Sequence, residues 1–255
     1  MYYQEEILQN SPLNLVMCHG FDSSHLTYAL IYKKLSQHFN TYMLDLPGHG
    51  QSNAKIRHMK IAFLADSIRQ FINNLSLKNV VLIGHSLGGG TVSYLYNEQN
   101  IKAFVLLAPI NPAIAKSEIL LKNILLPKTV EALKDSWNKL IYDANNINPN
   151  LFSPQNLKAS VQRIAKYRPF NEALTLDIKS KQFTITYNYL SITQPTKIIF
   201  GSHDKIIPTE NSVDWLSKLI KNHDISVVDQ CGHSPHYEKP KETAALILEF
   251  LLKLV

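Results

Sequence analysis

Cysteine is nearly absent from this chain. Its two copies, Cys18 and Cys231, stand far apart and form no metal-ligating spacing. Each lies within or beside an apolar run, the setting of a reduced, packed thiol, and no metal is expected. Arginine is equally scarce, with only 4 of the 26 basic residues. Nucleic-acid surfaces gather arginine and lysine on one face or stripe. Here the lysines are scattered, so the net charge of +6 does not mark a nucleic-acid partner. Long apolar runs are missing too, none approaching the roughly 18 residues of a membrane span. The greasiest stretch, Ala244 to Leu252, is interrupted by Glu249 and followed by Lys253. It reads as a buried final helix, not a membrane anchor. Met1 to Pro12 is polar and acidic, without the apolar centre of a signal peptide. A cytoplasmic protein without stable membrane insertion is expected.

What remains is an ordinary globular composition of 45% hydrophobic and 18% charged residues. In 255 residues it allows one substantial core with room for an insertion. Short apolar runs mark strands at Leu13–Met17, Thr41–Leu44, Val80–Ile83, Ala103–Leu107, Lys197–Phe200 and Ile225–Val228. Amphipathic segments lie between them: Ser24–Phe39, a stripe of Leu64, Ile68, Phe71 and Leu75, then Thr209–Lys221 and Lys241–Leu254. The alternation predicts an α/β fold with a mostly parallel, doubly covered sheet.

One region breaks the rhythm. Residues 110 to 192 contain no convincing buried strand, and prolines recur at 112, 127, 149, 154 and 169. Helix-like pieces stand between them, at Thr129–Tyr142 and from Ser153-Pro154 to Tyr167, where serine and proline fill the cap and the first helical position. The polar run Asn145 to Asn150 reads as a loop. The expected organisation is a core of residues 1–109 and 193–255, with residues 110–192 inserted as a helical cap.

The chemistry centres on Gly84-His85-Ser86-Leu87-Gly88-Gly89, directly after the Val80–Ile83 run. A serine between glycines, where a buried strand turns into a helix, is the pattern of a nucleophile elbow. The strained turn leaves no room for bulky side chains two residues to either side, at Gly84 and Gly88. The helix that follows aims its free N–H groups and positive dipole end at the same point. A nucleophilic Ser86 needs a base, a group to orient it, and donors for an oxyanion. His233, on the loop after the last strand, is the base candidate, with His236 a competitor by position. Asp204, just past the strand ending at Phe200, is the orienting acid; Asp229 lies too near His233 along the chain to reach it easily. Cys18-His19-Gly20-Phe21 ends the first strand, and the amides of Phe21 and Leu87 could converge on one oxygen, with His19 and Gly20 shaping the turn. His85 reads as a packed residue, not a second base.

The order oxyanion turn, Ser, Asp, His is that of the α/β-hydrolase triad, and here the chain resembles the α/β-hydrolase fold superfamily over nearly its full length. Asp45-Leu46-Pro47-Gly48-His49-Gly50-Gln51-Ser52 is similar to that family's D-x-P-G-x-G-x-S turn. Gly201 to Pro208 resembles its G-x-x-D-x-x-x-P acid loop, and Gly232-His233 with Glu238 and Pro240 its G-H-x-x-x-x-E-x-P base loop. The latter favours His233 over His236. Two departures stand out. The family's leading β-hairpin must be shortened, and Tyr28 stands where many relatives carry Trp.

The resemblance implies a lipase- or esterase-like serine hydrolase. It would cleave a small, apolar carboxylic ester through an acyl-enzyme on Ser86 and need no cofactor. A menaquinone-pathway lyase-like member is the second reading, though such members usually carry Tyr and Arg where His85 and Gly90 stand. Thioesterase or amidase activity shares the machinery, and a non-catalytic binding module is the reading from another class. Acyl chain length and oligomeric state are not written in the sequence.

Overall fold

The computed structural model describes residues 1–113, 125–148 and 150–255, without the side chains of Asn145 and Asn146. Residues 114–124 of the expected cap and Pro149 therefore lie outside the described residues. Seven strands form one sheet: β1 Tyr3–Glu6, β2 Asn14–Cys18, β3 Asn40–Leu44, β4 Val80–His85, β5 Ile101–Leu107, β6 Thr196–Gly201 and β7 His223–Val228. Their order is β1-β3-β2-β4-β5-β6-β7. β1 is antiparallel to β3, and every other pairing is parallel.

All six strands expected from apolar runs are present. Continuous hydrophobic runs suit a parallel sheet buried on both faces, and β4, at its centre, is buried throughout. β1 was not expected, because its sequence Tyr-Gln-Glu-Glu is polar and three of its four residues are exposed. A short edge strand with only Tyr3 packed on the core carries no hydrophobic run. It is the single strand preceding β2.

Helices α1 Ala29–Leu35, α2 Ile61–Asn74 and α3 Leu87–Val92 belong to the first half of the chain. They are followed by α4 Val130–Leu140, α5 Ala144–Ile147, α6 Pro154–Ser180, α7 Gln182–Ser191, α8 Thr209–Leu219, α9 Pro235–Glu238 and α10 Pro240–Leu252. One buried cluster joins Val16, Leu82, Leu106 and Ile198 to Ile61, Leu64 and Ile68 of α2 on one side of the sheet. A second joins Leu15, Ile83 and Val105 to Ile31 of α1 and Ile247 of α10 on the other. The strand alternation of side chains produces these two faces.

Several boundaries differ from expectation. Ser24–Phe39 is not one helix: a 3-10 turn at His25–Tyr28 precedes α1. Ser24 supplies no side-chain cap; the Asp45 carboxylate accepts the His25 amide at 2.7 Å instead. Leu75 falls just past α2 and is 40% exposed, so it is not part of the buried stripe. Asn145 to Ile147 form a helical turn, not a loop. α6 runs on past Tyr167 to Ser180 and carries Pro169 in its interior. The ring removes one helical hydrogen bond there, but tertiary contacts fix the helix on either side. Arg168 donates to the carbonyls of Leu126 and Pro127, and Asp177 accepts the Ile61 amide.

Among the described residues, the chain between β5 and β6 contains helices and no strand. Leu133, Leu157 and Ile164 form a small apolar cluster of their own, whereas Leu174, Ile185 and Tyr189 join the main core. No helix among the described residues is long and apolar enough to cross a membrane.

Candidate active site

The site is built at the carboxyl ends of adjacent parallel strands, where open α/β sheets bind ligands. Ser86 sits between β4 and α3 with φ +51° and ψ −113°, a conformation sparsely populated by residues other than glycine and held here by its surroundings. The turn closes because Gly84 and Gly88 have no side chains. A Cβ on Gly88 would lie 2.0 Å from the Cys18 carbonyl oxygen, and one on Gly84 2.6 Å from the Gly88 backbone.

Ser86, Asp204 and His233 meet. His233 Nε2 is 3.0 Å from Ser86 Oγ, and His233 Nδ1 is 2.7 Å from Asp204 Oδ2. A carboxylate only accepts, so Nδ1–H donates to it and Nε2 faces the serine hydroxyl as an acceptor. The other Asp204 oxygen accepts the amides of Ile206 at 2.8 Å and Ile207 at 2.9 Å, which fixes the carboxylate. All three residues are buried. Asp229 is exposed and accepts from Ser202 instead of approaching His233.

His236 reaches a different partner. It is fully buried, with Nε2 3.0 Å from Thr27 Oγ1. Burial, then the nearby His233, lower its pKa to about 3. His85 is packed, as expected, and its ring lies 4.5 Å from that of His236 and 5.0 Å from that of His233. Its Nε2 donates to the His233 carbonyl at 2.9 Å, joining the elbow to the base loop. Burial, reinforced by His236 and His233, holds its pKa well below the ordinary value. These rings are therefore neutral at pH 7 and bring no positive charge against a protonated His233.

Phe21 and Leu87 both adjoin the elbow, Phe21 after Gly20 and Leu87 as the first residue of α3. Neither backbone N–H donates to another described residue. Gly20 is required by space: a Cβ there would lie 2.8 Å from His85 Nδ1. His19 braces the turn, since its Nδ1 donates to the Gly20 carbonyl at 2.7 Å while its Nε2 accepts the Leu46 amide at 3.0 Å. Burial, then the neighbouring His49, lower its pKa to about 3, in keeping with a neutral ring that donates at one nitrogen and accepts at the other.

The pocket over Ser86 is walled by Leu133, Trp137, Leu140, Ile141 and Ile164, with Arg163 at its edge. The sequence missed how this wall is tied to the base. The His233 amide donates to the Leu140 carbonyl at 2.8 Å. Glu238 accepts the amides of Tyr142 and Gly232 at 2.8 Å and of Ser234 at 2.9 Å. The glutamate could be picked out by its motif, but its partner beyond α4 could not. Among the described residues no group of three or more His, Cys, Asp or Glu side chains is placed to hold a metal ion.

A family model for the alpha/beta hydrolase fold matches residues 14–240. The chain belongs to the α/β-hydrolase fold family. This α/β-hydrolase is 29% identical over 248 residues to the "Putative esterase/lipase 2" of Mycoplasma pneumoniae, covering 93% of this chain and 88% of that one. It is 27% identical over 258 residues to mouse monoacylglycerol lipase ABHD6, covering 93% of this chain and 75% of the relative. In fold it is similar to a membrane phospholipase A, with a TM-score of 0.86 at 20% identity over 99% of this chain and 82% of that one.

Proposed function

We propose that this α/β-hydrolase cleaves a carboxylic ester through an acyl-enzyme on Ser86. The observation that carries the reading is the continuous line from Ser86 Oγ through His233 to Asp204, at 3.0 and 2.7 Å. The esterase and lipase relatives support the same reaction class.

In this reading Ser86 Oγ attacks the ester carbonyl carbon as His233 Nε2 takes its proton. Asp204 holds the imidazole tautomer and stabilises the imidazolium that forms. The amides of Phe21 and Leu87 donate to the oxyanion; losing one such donor typically costs on the order of 100- to 1000-fold in turnover. The C–O bond to the alcohol breaks, and the alcohol leaves with the proton from His233. Water then gives its proton to His233 and attacks the acyl carbon; the bond from that carbon to Ser86 Oγ breaks as His233 returns the proton to Oγ, which releases the acid and restores Ser86. The insertion of residues 110–192 acts as the cap; its described helices carry an apolar cluster of their own, and the apolar wall over Ser86 selects a small ester with an apolar portion.

A p-nitrophenyl ester chain-length series, run beside a matched thioester and aryl amide, tests the assignment. Turnover highest for the esters is expected. Preferred turnover of the thioester or the amide would overturn the ester reading.

A further inference from the structure

The cap and the oxyanion turn are held together by an ion pair. Asp22 directly follows Phe21 with a φ of +50°, a left-handed conformation that aspartate adopts more readily than most residues with a side chain when its carboxylate is held by hydrogen bonds. Helix α6 holds that residue. Arg163 Nη1 lies 2.8 Å from Asp22 Oδ1 and donates to the Asp22 carbonyl at 3.3 Å. Asn171, two turns further along α6, donates to the same carboxylate oxygen at 3.4 Å. One helix thus grips both the side chain and the backbone of the residue next to Phe21. The grip is anchored at the far end, where Asp177 of α6 accepts the amide of Ile61, the first residue of α2. Arg163 also lines the pocket over Ser86, so the pair stands at the junction of cap, turn and substrate space.

We propose that Arg163 is a positioning residue for the reaction: through Asp22 it fixes the backbone of the oxyanion turn and so aims the Phe21 amide. The proposal rests on the reading of Ser86 as nucleophile and Phe21 as oxyanion donor. Relaxation of Asp22 toward negative φ swings the preceding residue relative to the 3-10 turn and α1 that follow. The Phe21 N–H then points away from the developing charge, while the apolar walls that bind substrate stay in place. Loss of the pair therefore lowers kcat and leaves KM nearly unchanged. Small misplacements of reacting groups have large kinetic effects, and partial loss of one donor corresponds to roughly 10-fold in kcat.

The test uses the full chain as wild type, Asp22→Asn, Arg163→Gln, Arg163→Lys and the Asp22→Asn/Arg163→Gln double variant. Fluorophosphonate labelling of the wild type and of Ser86→Ala comes first and reports on the nucleophile alone. Kinetics on a short p-nitrophenyl ester, and inhibition by a trifluoromethyl ketone of the same acyl length, then report on the turn. The ketone forms a tetrahedral adduct whose oxygen needs the same donors. Asp22→Asn and Arg163→Gln are each expected to lose roughly 10-fold in kcat with KM within about twofold, and ketone affinity falls in parallel. The double variant is no worse than either single variant, and Arg163→Lys regains most of the loss. Unchanged kcat, a loss confined to KM, or losses that multiply in the double variant would overturn the proposal in a protein that still labels at Ser86. A wild type that does not label overturns the nucleophile reading, and this proposal with it.

Discussion

At the scale of single residues the site depends as much on missing atoms as on reactive ones. A Cβ on Gly88 would overlap the Cys18 carbonyl at 2.0 Å, and backbone cannot rotate away as a side chain can. Gly88→Ala is expected to destabilise the fold by roughly 2–3 kcal/mol or more, read as a lower urea midpoint. A midpoint equal to wild type would show that the elbow has room the distances deny. Asp204→Asn keeps the shape of the acid but can present an amide donor to His233 Nδ1, favouring the wrong tautomer. Turnover is expected to fall by roughly 10,000-fold, while the thermal midpoint moves little. The candidate side chains that meet at Ser86, and the glycines around them, could be picked out because each needs a particular residue type at a strand end. Arg163 and Asp22 were not, because an ion pair between residues distant in sequence leaves no local pattern. The scarcity of arginine was the available hint: in a chain dominated by lysine, Arg69, Arg163 and Arg168 all make specific contacts.

Elements were legible where burial wrote a period into the sequence. Continuous apolar runs marked the six parallel strands, whereas the exposed edge strand β1 had no run to find. Proline was over-read as punctuation, since α6 passes through Pro169 with tertiary contacts on both sides. The link between α4 and the loop carrying His233 was also invisible, because it depends on backbone groups of Leu140 and Tyr142 whose side chains leave no trace of it in the sequence. There the Leu140 carbonyl takes the His233 amide, and Glu238 takes the Tyr142 amide with those of Gly232 and Ser234. Glu238→Gln replaces one accepting oxygen by an NH₂ group that must face an N–H. A loss of roughly 2–3 kcal/mol in unfolding free energy is expected, together with reduced turnover because the base loop loses its tie. Denaturant unfolding with an unchanged m-value checks the first, and stability equal to wild type would remove the glutamate from this role.

For the whole molecule, the buried histidines tie stability to pH. His19 and His236 have pKa values of about 3 in the fold, against 6.5 ordinarily. The unfolded chain therefore binds protons below about pH 6.5 that the folded chain refuses until near pH 3. Their contribution is complete above pH 6.5 and is lost as pH falls through that window, by up to roughly 2 kcal/mol for each ring at pH 5. Thermal midpoints are expected to drop between pH 7 and pH 5, and His236→Gln should flatten that slope. An equally steep slope in the variant would contradict the assignment. The same histidines lie beside a candidate site assembled from turns after β2, β4, β6 and β7, so the meeting of Ser86, His233 and Asp204 depends on the folded molecule. The most direct measurement of the central claim is mass spectrometry of the protein after reaction with a fluorophosphonate. The account predicts a single adduct on the peptide carrying Ser86, lost in Ser86→Ala, with a folded but unlabelled protein in that variant. An unmodified wild type, or equal labelling of Ser86→Ala, would contradict it.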